Sequence, residues 1–171
     1  MDMQNYDEIK LIVLDVDGTL TDGGIYYASD GSEIKRFDVK DGLGIKMGLA
    51  AGLEFAIITG RESPMVQRRA KELGIRYLRQ NVQKKGPAMR ELLQETGLSK
   101  EQVAYMGDDL NDKAAMELAG VCACPSDADA DIRKICHYIA PHQGGKGAVR
   151  DFIQELLTER RLWNRLIEES Y

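Results

Sequence analysis

The sequence predicts an α/β protein: a three-layer sandwich with a central parallel sheet and one β-hairpin projecting after the first strand. Three observations carry this. Short apolar, strand-like runs alternate with helical patterns along most of the chain, the order that leaves a parallel sheet covered on both faces. Two of those runs lead directly into aspartate clusters, DVDGT and GDDLND, where open α/β sheets place their ligands. Residues 24–38 break the alternation with turn chemistry and no helical period.

The expected strands are IKLIVL at 9–14, LEFAII at 53–58, IRYL at 75–78, QVAYM at 102–106, GVCAC at 120–124 and HYIA at 137–140. Each is a short, apolar, strand-like run. Residues 24–38, GIYYASDGSEIKRFD, hold two β-rich arms around the turn signal SDGS, hence the hairpin. Helices are expected at 42–51, 63–73, 87–96 and 112–118; in the third, Met89, Leu92, Leu93 and Thr96 fall at i, i+3, i+4 and i+7. From Lys146 onward, Ala148, Val149, Phe152, Ile153, Leu156 and Leu157 make one apolar stripe, which Trp163, Leu166 and Ile167 extend past the charged TERR segment. TERR either ends that helix or kinks it, and both versions leave Trp163 in need of burial. The expected organisation is one domain over residues 1–157 and a C-terminal helical tail over 158–171 whose last turns leave the domain.

With 171 residues, 43% of them hydrophobic, the chain can bury a core without disulfides or structural metal. A formal charge of -5 argues against nucleic acid or an anionic membrane, which require a concentrated basic face. The three cysteines, Cys122, Cys124 and Cys136, lack CxxC spacing and read as buried thiols in a reducing cytoplasm. The polar, acidic start MDMQNYDEIK and the brevity of the longest apolar runs give no sign of export or membrane insertion. A small molecule or a protein is left as the partner.

Asp15 and Asp17 follow the first strand, and two carboxylates so close repel unless a cation or proton is shared. A hard divalent ion meets that need and asks for more oxygen ligands. GDDLND supplies Asp108, Asp109 and Asp112 at another strand end, with Asp108 the preferred third ligand. No His or Cys is near these segments, so the set favours Mg²⁺ over Zn²⁺. DVDGT lacks the ligand spacing of a calcium loop; GDDLND alone would read as a helix N-cap cluster. Thr59 ends the strand LEFAII, placed to hold a phosphate oxygen, and Lys85 opens a helix with a fixed positive charge.

In order, DVDGT, ITG, Lys85 and GDDLND resemble the four motifs of the haloacid dehalogenase superfamily, and the likeness runs to about residue 157. The resemblance implies a Rossmann-like fold and a phosphoryl transfer. It makes Asp15 the nucleophile and a Mg²⁺ ligand, and Asp17 the acid/base that also binds the ion through its carbonyl. It has Thr59 and Lys85 hold phosphate, and makes Asp108 the side-chain ligand. An aspartyl nucleophile splits hydrolysis into two transfers.

Asp15 and Thr59 are 44 residues apart, and Thr59 and Lys85 are 26 apart; neither gap holds the cap domain many superfamily members carry. The capless layout, the hairpin, FDVKDGLGI at 37–45 and GGKGAVRDF at 144–152 are similar to the 3-deoxy-D-manno-octulosonate 8-phosphate phosphatases, homotetramers of lipopolysaccharide precursor synthesis. That likeness implies substrate contacts from Asp38, Val39, Lys40, Asp41, Gly42, Lys46, Arg61, Arg69 and Lys85. Arg69 also stands in line with Met65 and Leu73, where a guanidinium is out of place unless it meets an anion. Arg61 directly follows the phosphate-binding TG, and its fork matches a carboxylate. Asn81 departs from the usual Gly, and RRLWNRLIEESY matches nothing in the family. The same scaffold serves related sugar acids such as a nine-carbon 9-phosphate. Similar domains serve as non-catalytic modules, which would show a lost nucleophile or lysine; both are present here.

Overall fold

The computed structural model describes residues 6–170; residues 1–5 and 171, at the outer ends of the expected domain and tail, lie outside it. In chain order, β1 (Leu11–Leu14) is followed by the hairpin strands β2 (Tyr26–Tyr27) and β3 (Glu33–Ile34), α1 (Val39–Ala50), β4 (Glu54–Ile58), α2 (Pro64–Leu73) and β5 (Tyr77–Arg79). Then come α3 (Lys85–Thr96), β6 (Val103–Met106), α4 (Lys113–Met116), β7 (Val121–Cys124), α5 (Ala130–Ile135), β8 (Tyr138–Ile139), α6 (Ala148–Glu159) and α7 (Trp163–Ser170). The main sheet runs β5-β4-β1-β6-β7-β8, every pair parallel. The chain lays β4 and β5 on one side of β1 and then crosses to the other. At such a switch point the carboxyl ends of the strands frame a crevice. The registers bring those ends level, with Leu14 opposite both Ile57 and Met106.

Both faces of the sheet are buried. Side chains alternate between faces along a strand, so Ile12 and Leu14 join Ile45, Phe55, Phe152 and Leu156 in one cluster. Leu11 and Val13 join Met89, Leu92, Tyr105 and Ile132 in the other. The first cluster lies under α1, α2 and α6, the second under α3, α4 and α5. Burial on two sides is why the strands read as apolar throughout, with no polar face.

The structure departs from expectation at four places. Helix α1 starts at Val39 and not at 42, with the Asp38 carboxylate accepting the Lys40 N–H at 2.7 Å as its cap; Gly42, Gly44 and Gly48 lower its helix propensity and hid the start. The expected helix at 112–118 is a 3₁₀ turn over Leu110–Asp112 leading into α4. Helix α5 was not expected, because six residues with one buried side chain, Ile132, leave no period to read.

The fourth departure is the tail. Helix α6 ends at Glu159, Arg161 takes a φ of 58°, and α7 turns back beside α6. Trp163 is buried, Leu162 and Leu166 pack against the first cluster, and the Arg150 guanidinium lies 4.7 Å from the Trp163 ring centroid. Arg160 Nε donates to the Tyr6 carbonyl at 2.7 Å, tying this corner to the start of the described chain. The expectation that the last turns leave the domain is corrected: Leu162, Trp163 and Leu166 pack on their own domain, and Ile167 stays exposed.

Candidate active site

Asp15 is the first residue past β1, and its N–H donates to the Met106 carbonyl, so the sheet ladder fixes it at the crevice. The chain then wraps the Val16 carbonyl, which accepts from the N–H groups of Thr19, Leu20 and Thr21. Gly18 has a φ of +95°, and a Cβ there would overlap the Asp108 carboxylate; glycine is what lets the two acidic loops close on one another. Thr19 completes the join by donating its hydroxyl to Asp108 Oδ1 at 3.0 Å. From behind, Gly144 approaches the Gly18 carbonyl closely and Gly145 N–H donates to the Thr19 carbonyl, so GGKG braces the same turn.

Lys85 is buried at the first residue of α3, its ammonium 2.7 Å from both Asp15 Oδ1 and Asp112 Oδ1. Asp112 is fully engaged: Oδ1 also accepts the Tyr105 hydroxyl at 2.7 Å, and Oδ2 accepts the N–H groups of Asp108 and Asp109 at 3.1 and 3.3 Å. Its work is to aim Lys85. Carboxylate oxygens of Asp15, Asp108 and Asp112 lie within 4.8 Å of one another, against one nearby ammonium. Burial, then Asp112, push Asp15 well above the usual carboxylate range, although Lys85 pulls the other way. Burial and Asp112 likewise raise Asp108 to about 6. Burial opposes the charge on Lys85, but Asp15 and Asp112 outweigh it and hold its pKa up.

That excess of negative charge fits a hard divalent cation. Asp112 has no acceptor capacity to spare, so although it lies in the acidic group it is a poor ligand. Asp15 and Asp108 each keep an oxygen without a hydrogen bond, and the Asp17 carbonyl accepts none among the described residues. Those three oxygens are open to such an ion, and among the described residues the acidic group of Asp15, Asp108 and Asp112 includes no histidine or cysteine.

Thr59 is buried at the end of β4, its N–H donating to the Arg79 carbonyl. Together with Asp15, Asp17, Gly60 and Arg61 it lines a cavity of about 200 Å³. A second cavity, about 320 Å³, is lined by Phe37, Val39, Met65, Arg69 and Lys35 among others. The structure thus gathers Asp15, Asp17, Thr59, Arg61, Lys85 and Asp108 in one place. Val39 and Arg69 belong to the second cavity, where Arg69 Nη2 reaches the Asp38 carbonyl at 3.4 Å and would collide with any side chain at position 42. Lys40 and Lys46 point to solvent from α1. Asp41 is buried and turned inward: its Oδ1 accepts the Arg150 N–H at 2.8 Å, capping the start of α6, and burial raises its pKa to about 6.

Sequence reasoning missed Lys35 and Glu33. The Lys35 ammonium sits on Asp17 Oδ1, and Glu33 accepts Arg61 Nη2 at 2.8 Å. Their spacing of two along a β-arm puts both on one face, but nothing in the sequence says that this face looks back into the crevice. The histidines take structural roles: Cys122 N–H donates to His137 Nδ1, and His142 Nδ1 lies 2.8 Å from Asp151.

A family model described as haloacid dehalogenase-like hydrolase matches residues 78–153. The 3-deoxy-D-manno-octulosonate 8-phosphate phosphatase KdsC of Escherichia coli is 41% identical over 155 residues, 91% of this chain and 82% of that protein. The Haemophilus influenzae KdsC is 38% identical, with 90% and 86% covered. Among solved structures, the 3-deoxy-D-manno-octulosonate 8-phosphate phosphatase of Moraxella catarrhalis in complex with magnesium, phosphate and KDO superposes with a TM-score of 0.95 at 40% identity, covering 98% of this chain and 97% of that one. A probable yrbi family phosphatase of Pseudomonas syringae gives a TM-score of 0.93 at 44% identity, covering 96% and 94%.

Proposed function

This chain belongs to the haloacid dehalogenase-like hydrolases, and we infer that it is a Mg²⁺-dependent phosphatase that hydrolyses 3-deoxy-D-manno-octulosonate 8-phosphate to the free sugar acid and phosphate. The observation that carries the chemistry is the buried Lys85 held between Asp15 and Asp112 beside Thr59. A positive charge and a carboxylate nucleophile stand together where a phosphoryl group would enter. The eight-carbon substrate rests on the likeness to the KdsC proteins and to the KDO-bound Moraxella structure. Arg61, at the mouth of the same cavity, suits the carboxylate of a sugar acid.

Asp15 attacks phosphorus through a side-chain oxygen, forming an aspartyl-phosphate as the bond to the sugar's bridging oxygen breaks. Asp17 gives that oxygen a proton, then accepts one from the water that hydrolyses the aspartyl-phosphate and regenerates Asp15. Lys85 and Thr59 hold the phosphoryl oxygens, and Asp112 and Tyr105 fix Lys85 for the purpose. Asp15, Asp108 and the Asp17 carbonyl would hold Mg²⁺, which when bound offsets charge on the transferring group as a Lewis acid.

A homotetramer in the cytoplasm completes the reading. The hairpin presents Ile25, Tyr26, Tyr27 and Ile34 to solvent, with Tyr27 68% exposed; an isolated two-stranded ribbon so apolar calls for partners. Cys122, Cys124 and Cys136 are free, as a reducing compartment keeps them. Among the described residues, no helix is long and apolar enough to cross a membrane.

Asp15→Asn tests the chemistry. Phosphate release from the 8-phosphate should fall at least about a thousandfold, as loss of a covalent nucleophile does, with the circular dichroism spectrum unchanged. Retention of more than about a tenth of the activity would remove Asp15 from the nucleophile's role.

A further inference from the structure

We propose that Lys35 is a positioning residue for proton transfer at Asp17, holding that carboxylate from the hairpin so that one oxygen stays turned to the substrate's bridging oxygen. The proposal rests on the reading of Asp17 as the acid/base.

The Lys35 side chain is 2% exposed, against 24% for Asp17, and its ammonium lies on Asp17 Oδ1 with Glu33 Oε1 3.7 Å away. Lysine is almost never so deeply buried unless it is paired, and here the pairing is to a residue of the catalytic loop. Among the described residues, no other hydrogen bond reaches the Asp17 carboxylate; the Arg61 Nε is 4.0 Å from Oδ2. Lys85 is committed to Asp15 and Asp112 and is not available for this task.

An aspartate needs such a hold because its terminal torsion is broad and roughly two-fold, so the carboxylate swings unless an oxygen is pinned. Lys35 pins Oδ1 and leaves Oδ2 on the side of Arg61. Ile34, between Glu33 and Lys35, is 55% exposed on the opposite face of the arm. Tyr26 pairs with Ile34 on that outward face, and the face of Glu33 and Lys35 reaches Asp17 and Arg61. In the first half-reaction the Asp15–phosphorus bond forms, the bond from phosphorus to the sugar oxygen breaks, and the Asp17 proton passes to that oxygen. Lys35 transfers no proton.

The test is leaving-group dependence. With Mg²⁺ present, kcat/KM is measured for the wild type, Lys35→Met, Lys35→Arg and Asp17→Asn. The two substrates are 3-deoxy-D-manno-octulosonate 8-phosphate and p-nitrophenyl phosphate, whose nitrophenolate departs without a proton. Lys35→Met keeps the aliphatic stem and removes the charge; if it melts below the assay temperature, Lys35→Gln takes its place. General acid catalysis is worth about 10²–10⁴-fold and matters when the leaving group is basic, so the sugar phosphate should lose about thirtyfold and p-nitrophenyl phosphate less than about threefold. Lys35→Arg should recover most of the loss. Equal losses on the two substrates overturn the proposal, making Lys35 a phosphate-binding charge or a mere hairpin anchor, and so does an undiminished rate on the sugar phosphate. Should Asp17→Asn depress both substrates equally, the acid/base reading falls and takes this proposal with it. A leaving-group effect in Asp17→Asn without one in Lys35→Met sinks the proposal alone.

Discussion

Among the described residues, Lys85 is the one ammonium paired within the group of Asp15, Asp108 and Asp112, and that imbalance should govern the response to pH and metal. Asp108 is raised from 3.8 to about 6 in the folded chain, so the folded state binds the proton more tightly than the unfolded state. The contribution of Asp108 to the stability of the metal-free protein is therefore lost as pH rises from about 4 through about 6. Metal binding needs the deprotonated carboxylates and competes with those protons. Saturating Mg²⁺ should thus raise the melting temperature more at about pH 8 than at about pH 5; equal increments in a thermal-shift titration would contradict the ligand set. At this scale the sequence made positions legible where a polar residue follows an apolar strand: Asp15 and Thr59 come directly after β1 and β4, and Asp108 two residues after β6. Asp41 and Lys35 were not legible, because their roles depend on what lies across from them: the start of α6 in one case, Asp17 in the other.

Among the elements, strands buried on both faces announced themselves, while pieces defined by a neighbour did not. Helix α5 buries Ile132 alone, and the fate of α7 turned on whether its apolar side met its own domain. The apolar stripe through Trp163 was visible in the sequence; that α7 folds back depends on Arg161 reversing the chain at a φ of 58°. Trp163 is 8% exposed and carries the Arg150 guanidinium on its ring. Trp163→Ala should accordingly cost about 3–5 kcal/mol of stability, as large-to-small changes at buried aromatic sites do. Urea denaturation measures it, and a loss under about 1 kcal/mol would mean that α7 is only loosely docked.

For the whole molecule, the parallel sheet sets where the candidate site lies, and among the described residues no separate cap domain is inserted beside it. The ends of β1, β4 and β6 bring Asp15, Thr59 and Asp108 together from positions far apart in the chain. The hairpin reaches from that crevice, through Lys35 and Glu33, to exposed apolar side chains such as Ile34, which is where the proposed subunit association would bear on the site. The proposed activity is phosphate release selective for an eight-carbon sugar acid at a Mg²⁺-dependent aspartyl nucleophile. It is tested most directly by comparing kcat/KM for phosphate release from 3-deoxy-D-manno-octulosonate 8-phosphate, a nine-carbon sugar-acid 9-phosphate and simple hexose phosphates. The expected preference for the eight-carbon acid is more than about a hundredfold, about 3 kcal/mol of discrimination. Comparable values across the panel would contradict it.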